Sequence, residues 1–280
     1  GAGRIAGHLG LDNVIMFYDA NDIQLSTEVK EVMTEDTAMK YRAWGWNVME
    51  IDGNDCQQIR EALDAAKKED KRPTLIIGKC IMGKGARKAD NSSYENTCKT
   101  HGAPLGADAC KNTIINLGGD PENPFVIFDD VKEMYAKRAE ELKAICAARY
   151  AEEAEWAAAN PEKAEMLKNW WENKLPELPW DQIEQKPNGP TRNASAACLS
   201  MLSEHVGNMI VSSADLCNSD KTDGFIKGGA TIISRDNFAG GFLQAGVAEL
   251  TMACVCIGIT LHGGMLSACG TFFVFSDYMK

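Results

Sequence analysis

The 280-residue chain contains no cluster of basic side chains: 29 Lys and Arg stand against 40 Asp and Glu, a formal net charge of −11. Without such a patch, neither nucleic acid nor an acidic membrane surface is an expected partner. It also lacks an apolar run of bilayer length, since the longest, Leu250 to Leu261, falls well short of about 20 residues and is broken by Gly258 and Thr260. Ten cysteines are many, yet none forms a C-x-x-C pair and no paired His stands at zinc spacing, which excludes the common zinc modules. Several of them lie inside apolar runs, where a free thiol packs as a small hydrophobe, and a reducing cytoplasm suits that usage. There is no signal-like segment and no initiator Met, and both ends read as cut from a longer protein. What remains is a soluble protein of small-molecule chemistry, long for one domain and comfortable for two, with 45% hydrophobic residues to build cores.

The opening segment, GAGRIAGHLG, reads as helix; its glycines follow no strand, so they are a poor match to a phosphate loop. Asn13 to Tyr18 is a continuous apolar run, the pattern of a strand buried on both faces, and it empties into the oxygen-rich cluster Asp19, Asn21, Asp22. Ligands of open parallel sheets bind at the carboxyl ends of the strands, so a metal–phosphate site is expected there, with an ordinary Asx-rich turn as the plainer alternative. Trp46 to Ile51 and Thr74 to Gly78 are further strands, and between them Ile59, Leu63 and Ala66 share one helical face. Strand, helix, strand implies a parallel α/β unit. His101 lies on a glycine-rich loop with no core to satisfy, where a solvent-exposed histidine is the plain reading.

Phe128 to Trp171 reads as helices broken at Asn160–Pro161, and Leu175 to Pro190 carries Pro176, Pro179, Pro187 and Pro190, the mark of an extended linker and a domain boundary. Beyond it come a helix over Arg192 to Glu204, a buried strand over Asn208 to Ser213, a candidate strand over Thr231 to Ile233, and an apolar helix. In that last stretch, between Phe238 and Asp277, Glu249 is the only charged side chain apart from the weakly basic His262. Burial without a partner costs a carboxylate its charge, so such a group is either functional or is a helix cap or distant ion pair. Phe272, Phe275 and Tyr278, three apart, would share a helical face, as a ring pocket or as simple core packing.

Taken together, the blocks GHLGLDNVIMFYDANDIQLS, EDTAMKYRAWGWNVMEIDGND, IIGKCIMGKG, THGAPLG, TRNAS, SADLCNSDKT, GVAEL, LHGG and TFFVFSDY closely resemble transketolase from end to end, in the family's order and spacing. The resemblance implies two parallel-sheet α/β domains that bind thiamine diphosphate, both incomplete and joined by the Pro-rich linker. The diphosphate-binding domain would run over residues 1–187, with a helical and Pro-rich connection from about 129, and the first part of the pyrimidine-binding domain over 188–280. By the same comparison, the N-terminal part, the rest of the pyrimidine domain and a C-terminal domain lie outside the chain. The implied activity is a transferase of the pentose phosphate pathway that moves a two-carbon ketol unit from a ketose phosphate to an aldose phosphate. The implied assembly is a homodimer with the active site at the subunit interface, and the fragment alone would be inactive. Related readings are a deoxyxylulose-phosphate synthase-like enzyme and a non-catalytic cofactor-binding paralogue.

The resemblance also assigns roles. Glu249 becomes the carboxyl that hydrogen-bonds the cofactor's aminopyrimidine and favours its imino tautomer, which overtakes the plainer reading. Phe272, Phe275 and Tyr278 match the pyrimidine pocket. Asn21 and the backbone carbonyl of Ile23 match ligands of Mg2+ or another divalent cation such as Ca2+, with a further Asp ligand upstream of residue 1. His101 matches a histidine near both cofactor and substrate, and Arg192 and Ser219 match substrate-phosphate contacts. One departure stands out: many relatives carry Arg where Ala248 precedes Glu249.

Overall fold

A computed structural model describes all residues, 1–280. The chain forms two compact units, residues 6–147 and residues 148–280 together with 1–5.

The first unit is built on a three-stranded parallel sheet. After α1 (Ala2–Leu9) come β1 (Ile15–Ala20), α2 (Thr37–Ala43), β2 (Asn47–Asp52), α3 (Cys56–Ala66) and β3 (Thr74–Lys79). The strand order β1-β3-β2 places β3 in the centre, and its continuous apolar sequence TLIIG follows from burial on both sides. On one face Leu75 packs with Ala6 and Trp46, and with Met16 and Tyr18 of β1; on the other, Ile76 packs against Ala62 and Ala66 of α3. Of the face the sequence predicts on α3, Ala66 is buried while Ile59 and Leu63 are half-buried, and Ala62 completes the contact.

β1 corrects one expectation. It is an edge strand with only one face covered: Met16 and Tyr18 are half-buried, while Ile15 and Phe17 are exposed, Phe17 by 42%. The cause is the reach of α3, which packs on β2 and β3. The unit ends with α4 (Ala107–Asn116) and most of the exposed α5 (Asp129–Ala159).

Asp55 caps α3, its Oδ1 accepting from the backbone N–H of Gln57 (2.8 Å) and Gln58 (3.2 Å) while Oδ2 accepts from Gln58 Nε2 (3.1 Å). These bonds, led by the Gln58 and then the Gln57 backbone N–H, hold its carboxyl below the usual range. A folded value below the unfolded one means stability that is present above the unfolded value and lost as pH falls through the folded one. Asp55→Asn keeps an acceptor but cannot titrate, so urea unfolding between neutrality and about pH 3 should show a flatter acid limb for the variant. An unchanged limb would mean that the cap makes no contribution to acid sensitivity.

The second unit contains α6 (Pro161–Trp171), α7 (Thr191–His205), β4 (Met209–Ser213), α8 (Cys217–Asp220), α9 (Gly224–Lys227), β5 (Phe242–Gln244), α10 (Glu249–His262), β6 (Leu266–Gly270) and a 3-10 helix over Phe273–Met279. α5 stops at Ala159 and α6 starts with Pro161 at its first position, where a missing N–H costs nothing. The sheet order β5-β4-β6 is again parallel throughout, with Val211, Phe225 and Phe242 forming the core. Gly224 is required by close approach: a Cβ there would lie 2.4 Å from the Ala196 carbonyl oxygen of α7.

Two expectations change here. Thr231 to Ile233 forms no strand; it contributes a single bridge, Ile232 to Phe242, and the third strand of that region is Phe242–Gln244. Nor is α10 enclosed. Met252, Ala253 and Cys256 are buried, but Leu250, Ile257 and Leu261 are 51%, 58% and 80% exposed. The helix is apolar all round and this chain covers only one side of it. No helix is long and apolar enough to cross a membrane.

Candidate cofactor and phosphate sites

At the carboxyl ends of β1, β2 and β3 lies a cavity of ≈ 810 Å³, lined in part by Asn21, Asp22, Ile23, Asp52, Lys79 and Lys84. Its geometry starts from a tight turn. Asn21 Oδ1 accepts from Ile23 N–H (3.0 Å) and Asp22 sits at φ 63°, a left-handed position that Asp tolerates. The expected Asx turn and the expected oxygen cluster are thus one structure. The turn is held by Val29 N–H donating to the Asp22 carbonyl (2.9 Å) and by an ion pair between Lys79 and Asp22. The Ile23 carbonyl accepts no hydrogen bond within the chain, and Asn21 Oδ1 keeps a second lone pair.

Two neutral oxygens beside lysine ammoniums suit a cation that is shared with phosphate oxygens, since the lysines would pair with the phosphate. No group of three His, Cys, Asp or Glu side chains could hold a metal unaided. Cys80 lines the same cavity; burial first, and then a hydrogen bond to the Asp19 carboxylate, push its thiol up. Lys79, Lys84 and Asp52 were missed by sequence reasoning, although IIGKCIMGKG, at the exit of β3, carried the signal for the two lysines and the end of β2 carries Asp52. His101 caps a short 3-10 turn, Cys98–Thr100, and is exposed; it does not line this cavity.

In the second unit, Glu249 is the first residue of α10, where a carboxylate is favoured by the helix dipole. It is half-buried and makes no hydrogen bond or ion pair within the chain, while Val247 beside it is 78% exposed. The apolar enclosure expected around it is therefore only partly built. The loop before it is fixed by Arg4, whose Nη2 donates to the Ala245 carbonyl (2.7 Å), a long-range contact with no sequence signal.

Phe272, Phe275 and Tyr278 form a ladder, with ring centroids 6.4 and 6.3 Å apart. A 3-10 helix eclipses residues i and i+3, so it stacks these rings more directly than an α-helix would. A cavity of ≈ 550 Å³ adjoins the ladder, lined in part by Arg192, Asp220, Thr222, Cys269, Thr271 and Phe272. Asp220 is tied down by Ser213 Oγ and by Thr222 N–H and Oγ1, all at 2.8 Å. Thr271 Oγ1 is buried without a partner, a group that burial alone would penalise. Arg192, near the start of α7, lines this cavity; Ser219 does not, and its hydroxyl instead donates to Asn218 Oδ1 (3.3 Å).

Two parallel α/β units, each with polar groups gathered where its strands end, define a protein of the open parallel α/β class, whose ligand sites lie at the carboxyl ends of the strands. The family profile "Transketolase, thiamine diphosphate binding domain" matches residues 1–176, and "Transketolase, pyrimidine binding domain" matches residues 189–280. The transketolase of Geobacillus stearothermophilus is 35% identical over 285 residues, covering 100% of this chain and 41% of the relative. The plasmid transketolase of Cupriavidus necator is 35% identical over 292 residues, covering 99% and 41%. Among solved structures, transketolase from Leishmania mexicana superposes with a TM-score of 0.91 at 28% identity. A Pichia stipitis transketolase in complex with sedoheptulose 7-phosphate superposes with 0.88 at 30%; each alignment covers 99% of this chain and 41% of that structure. The chain belongs to the transketolase family, and it spans about two fifths of the length of these relatives.

Proposed function

We propose that the complete protein is a transketolase, transferring a two-carbon ketol unit between sugar phosphates as a homodimer whose active site lies at the subunit interface. The observation that carries this is the succession of the two family domains along one chain, each with site-like groups at the carboxyl ends of its strands. We place the domain boundary at the Pro-rich stretch, near residues 187 and 188, and the protein in the cytoplasm.

Thiamine diphosphate, when bound, supplies the electron sink for breaking and forming a carbon–carbon bond. The residues present fit it. Asn21 Oδ1 and the Ile23 carbonyl would hold Mg2+ or Ca2+, with Lys79 and Lys84 as cations toward phosphate. Phe272, Phe275 and Tyr278 offer ring faces, and Glu249 offers a carboxyl with no competing partner. His101 and Arg192 would face the substrate; for Ser219, the same role requires its hydroxyl to leave Asn218. The test is ketol transfer by the full-length protein from a ketose phosphate to an aldose phosphate. Cofactor binding without turnover would instead mark a non-catalytic relative.

Arg192 gives a sharper test. Its guanidinium can form a charge-assisted pair only with a phosphorylated sugar, so Arg192→Ala should raise KM for phosphorylated substrates at least about tenfold while leaving unphosphorylated ones nearly unchanged. Equal losses on both would make Arg192 a structural residue.

A further inference from the structure

We propose that Cys256 and Cys269 are a redox pair, oxidised by hydroperoxides to a disulfide that ties α10 to β6. α10 packs on β6, and Ser267, whose hydroxyl reaches the Cys256 carbonyl, shares a face of that strand with Cys269, so the two thiols are turned toward each other. Their environments differ. Cys256 is buried, with its sulfur 3.9 Å from the Ala268 carbonyl and its backbone carbonyl accepting from Ser267 Oγ (2.7 Å). Cys269 is half-buried and lines the 550 Å³ cavity, so a molecule the size of hydrogen peroxide can reach it.

Their closeness and unequal burial divide the labour between the two. The nearness of Cys256 lowers the Cys269 thiol and favours its thiolate, while the nearness of Cys269, followed by burial, pushes the Cys256 thiol up. Cys269 is the more open of the two, so it is the one to lose its proton first. The other polar groups nearby are Ser267, which hydrogen-bonds Cys256, and Arg192 and Asp220, which line the cavity with Cys269. No charged side chain sets either thiol's titration. Nucleophilic thiols are recognised by this combination of thiolate character and access.

The chemistry balances in two steps. The Cys269 thiolate attacks one oxygen of hydrogen peroxide, breaking the O–O bond and releasing hydroxide, which leaves a sulfenic acid on Cys269. The Cys256 sulfur then attacks the sulfenyl sulfur; the S–S bond forms, the S–O bond breaks, and the Cys256 proton leaves with the hydroxyl as water. Two thiols are oxidised and one peroxide is reduced to two waters. The other cysteine of α10 near this pair, Cys254, is exposed and cannot take the buried role.

The experiment treats the 280-residue chain with hydrogen peroxide near neutral pH, alkylates the remaining thiols and maps peptides by mass spectrometry. The expected result is a Cys256–Cys269 linked peptide, two hydrogen atoms lighter than the reduced pair and reversed by dithiothreitol. Before oxidation, Cys269 should react with iodoacetamide at pH 7 at least about fivefold faster than Cys254, because it carries more thiolate. In Cys256→Ala the linked peptide should vanish and Cys269 should be trapped as sulfenic acid by dimedone, with circular dichroism confirming the fold. Linked peptides scattered among the ten cysteines, or a Cys269 no faster than Cys254, would overturn the proposal. None of these readouts depends on ketol transfer.

Discussion

In the full-length protein, Glu249→Gln should lower the exchange of the C2 proton of bound thiamine diphosphate by at least about a hundredfold, the scale expected for a positioned proton donor. The two side chains share a shape, and Glu249 makes no hydrogen bond or ion pair within the chain that the substitution would break. What the amide cannot do is pass a proton to a ring nitrogen. The loop entering α10 is held by the bond from Arg4 to the Ala245 carbonyl, so the backbone position of residue 249 should not change. Deuterium exchange of the bound cofactor, followed by quenched-flow NMR, reads the step directly. Exchange at the parental rate with unchanged cofactor affinity would remove Glu249 from the mechanism. Loss of affinity alone would assign it to binding.

The residues that could be read from sequence are those whose chemistry conflicts with their neighbours. Glu249 stands out because apolar residues surround it in the chain, and the Asp19 to Asp22 cluster because it interrupts an apolar strand. The three rings stand out by spacing, and 3-10 geometry turns that spacing into a ladder. The first sheet was legible for a related reason: β3 is continuously apolar, rich in β-branched residues and central, so its pattern has one interpretation.

The second sheet was less so. β5 has three residues and follows two glycines, and β6 reads LSACG, whose small side chains resemble a loop. Those strands exist because β4 offers both its edges, a tertiary fact that local propensity does not carry. Thr231 to Ile233 had the better β composition and still lost, because β4 pairs with Phe242 to Gln244. Burial was misjudged in the same way at both β1 and α10. An apolar run states that a face can be covered, not that this stretch of chain covers it. The thiol pair, 13 positions apart, needed the packing of α10 on β6 to become visible.

Phe242→Ala is the substitution with the largest expected effect on stability. The ring is fully buried against Val211 and Phe225, with Leu199, Leu202 and Ala268 packed around that cluster. Removing it loses the transfer energy of the ring and leaves a cavity that β5 is poorly placed to fill, since three residue pairs with β4 hold that strand. The expected cost is about 3–5 kcal/mol, a large fraction of the 5–15 kcal/mol that typically separates folded from unfolded domains. Phe17→Ala is the matched control. Its ring is 42% exposed on an edge strand, so less apolar surface is taken out of water and the loss should be about 1 kcal/mol. Urea unfolding of both variants, read by the amide hydrogen exchange of β4 and of β3 respectively, separates the two units. β5 also leads through the Ala245 to Ala248 loop into Glu249, so Phe242→Ala should loosen α10 and weaken cofactor binding at urea concentrations where the rest of the chain is still folded. Equal costs for the two phenylalanines would mean that the core of the second unit lies elsewhere than Val211, Phe225 and Phe242.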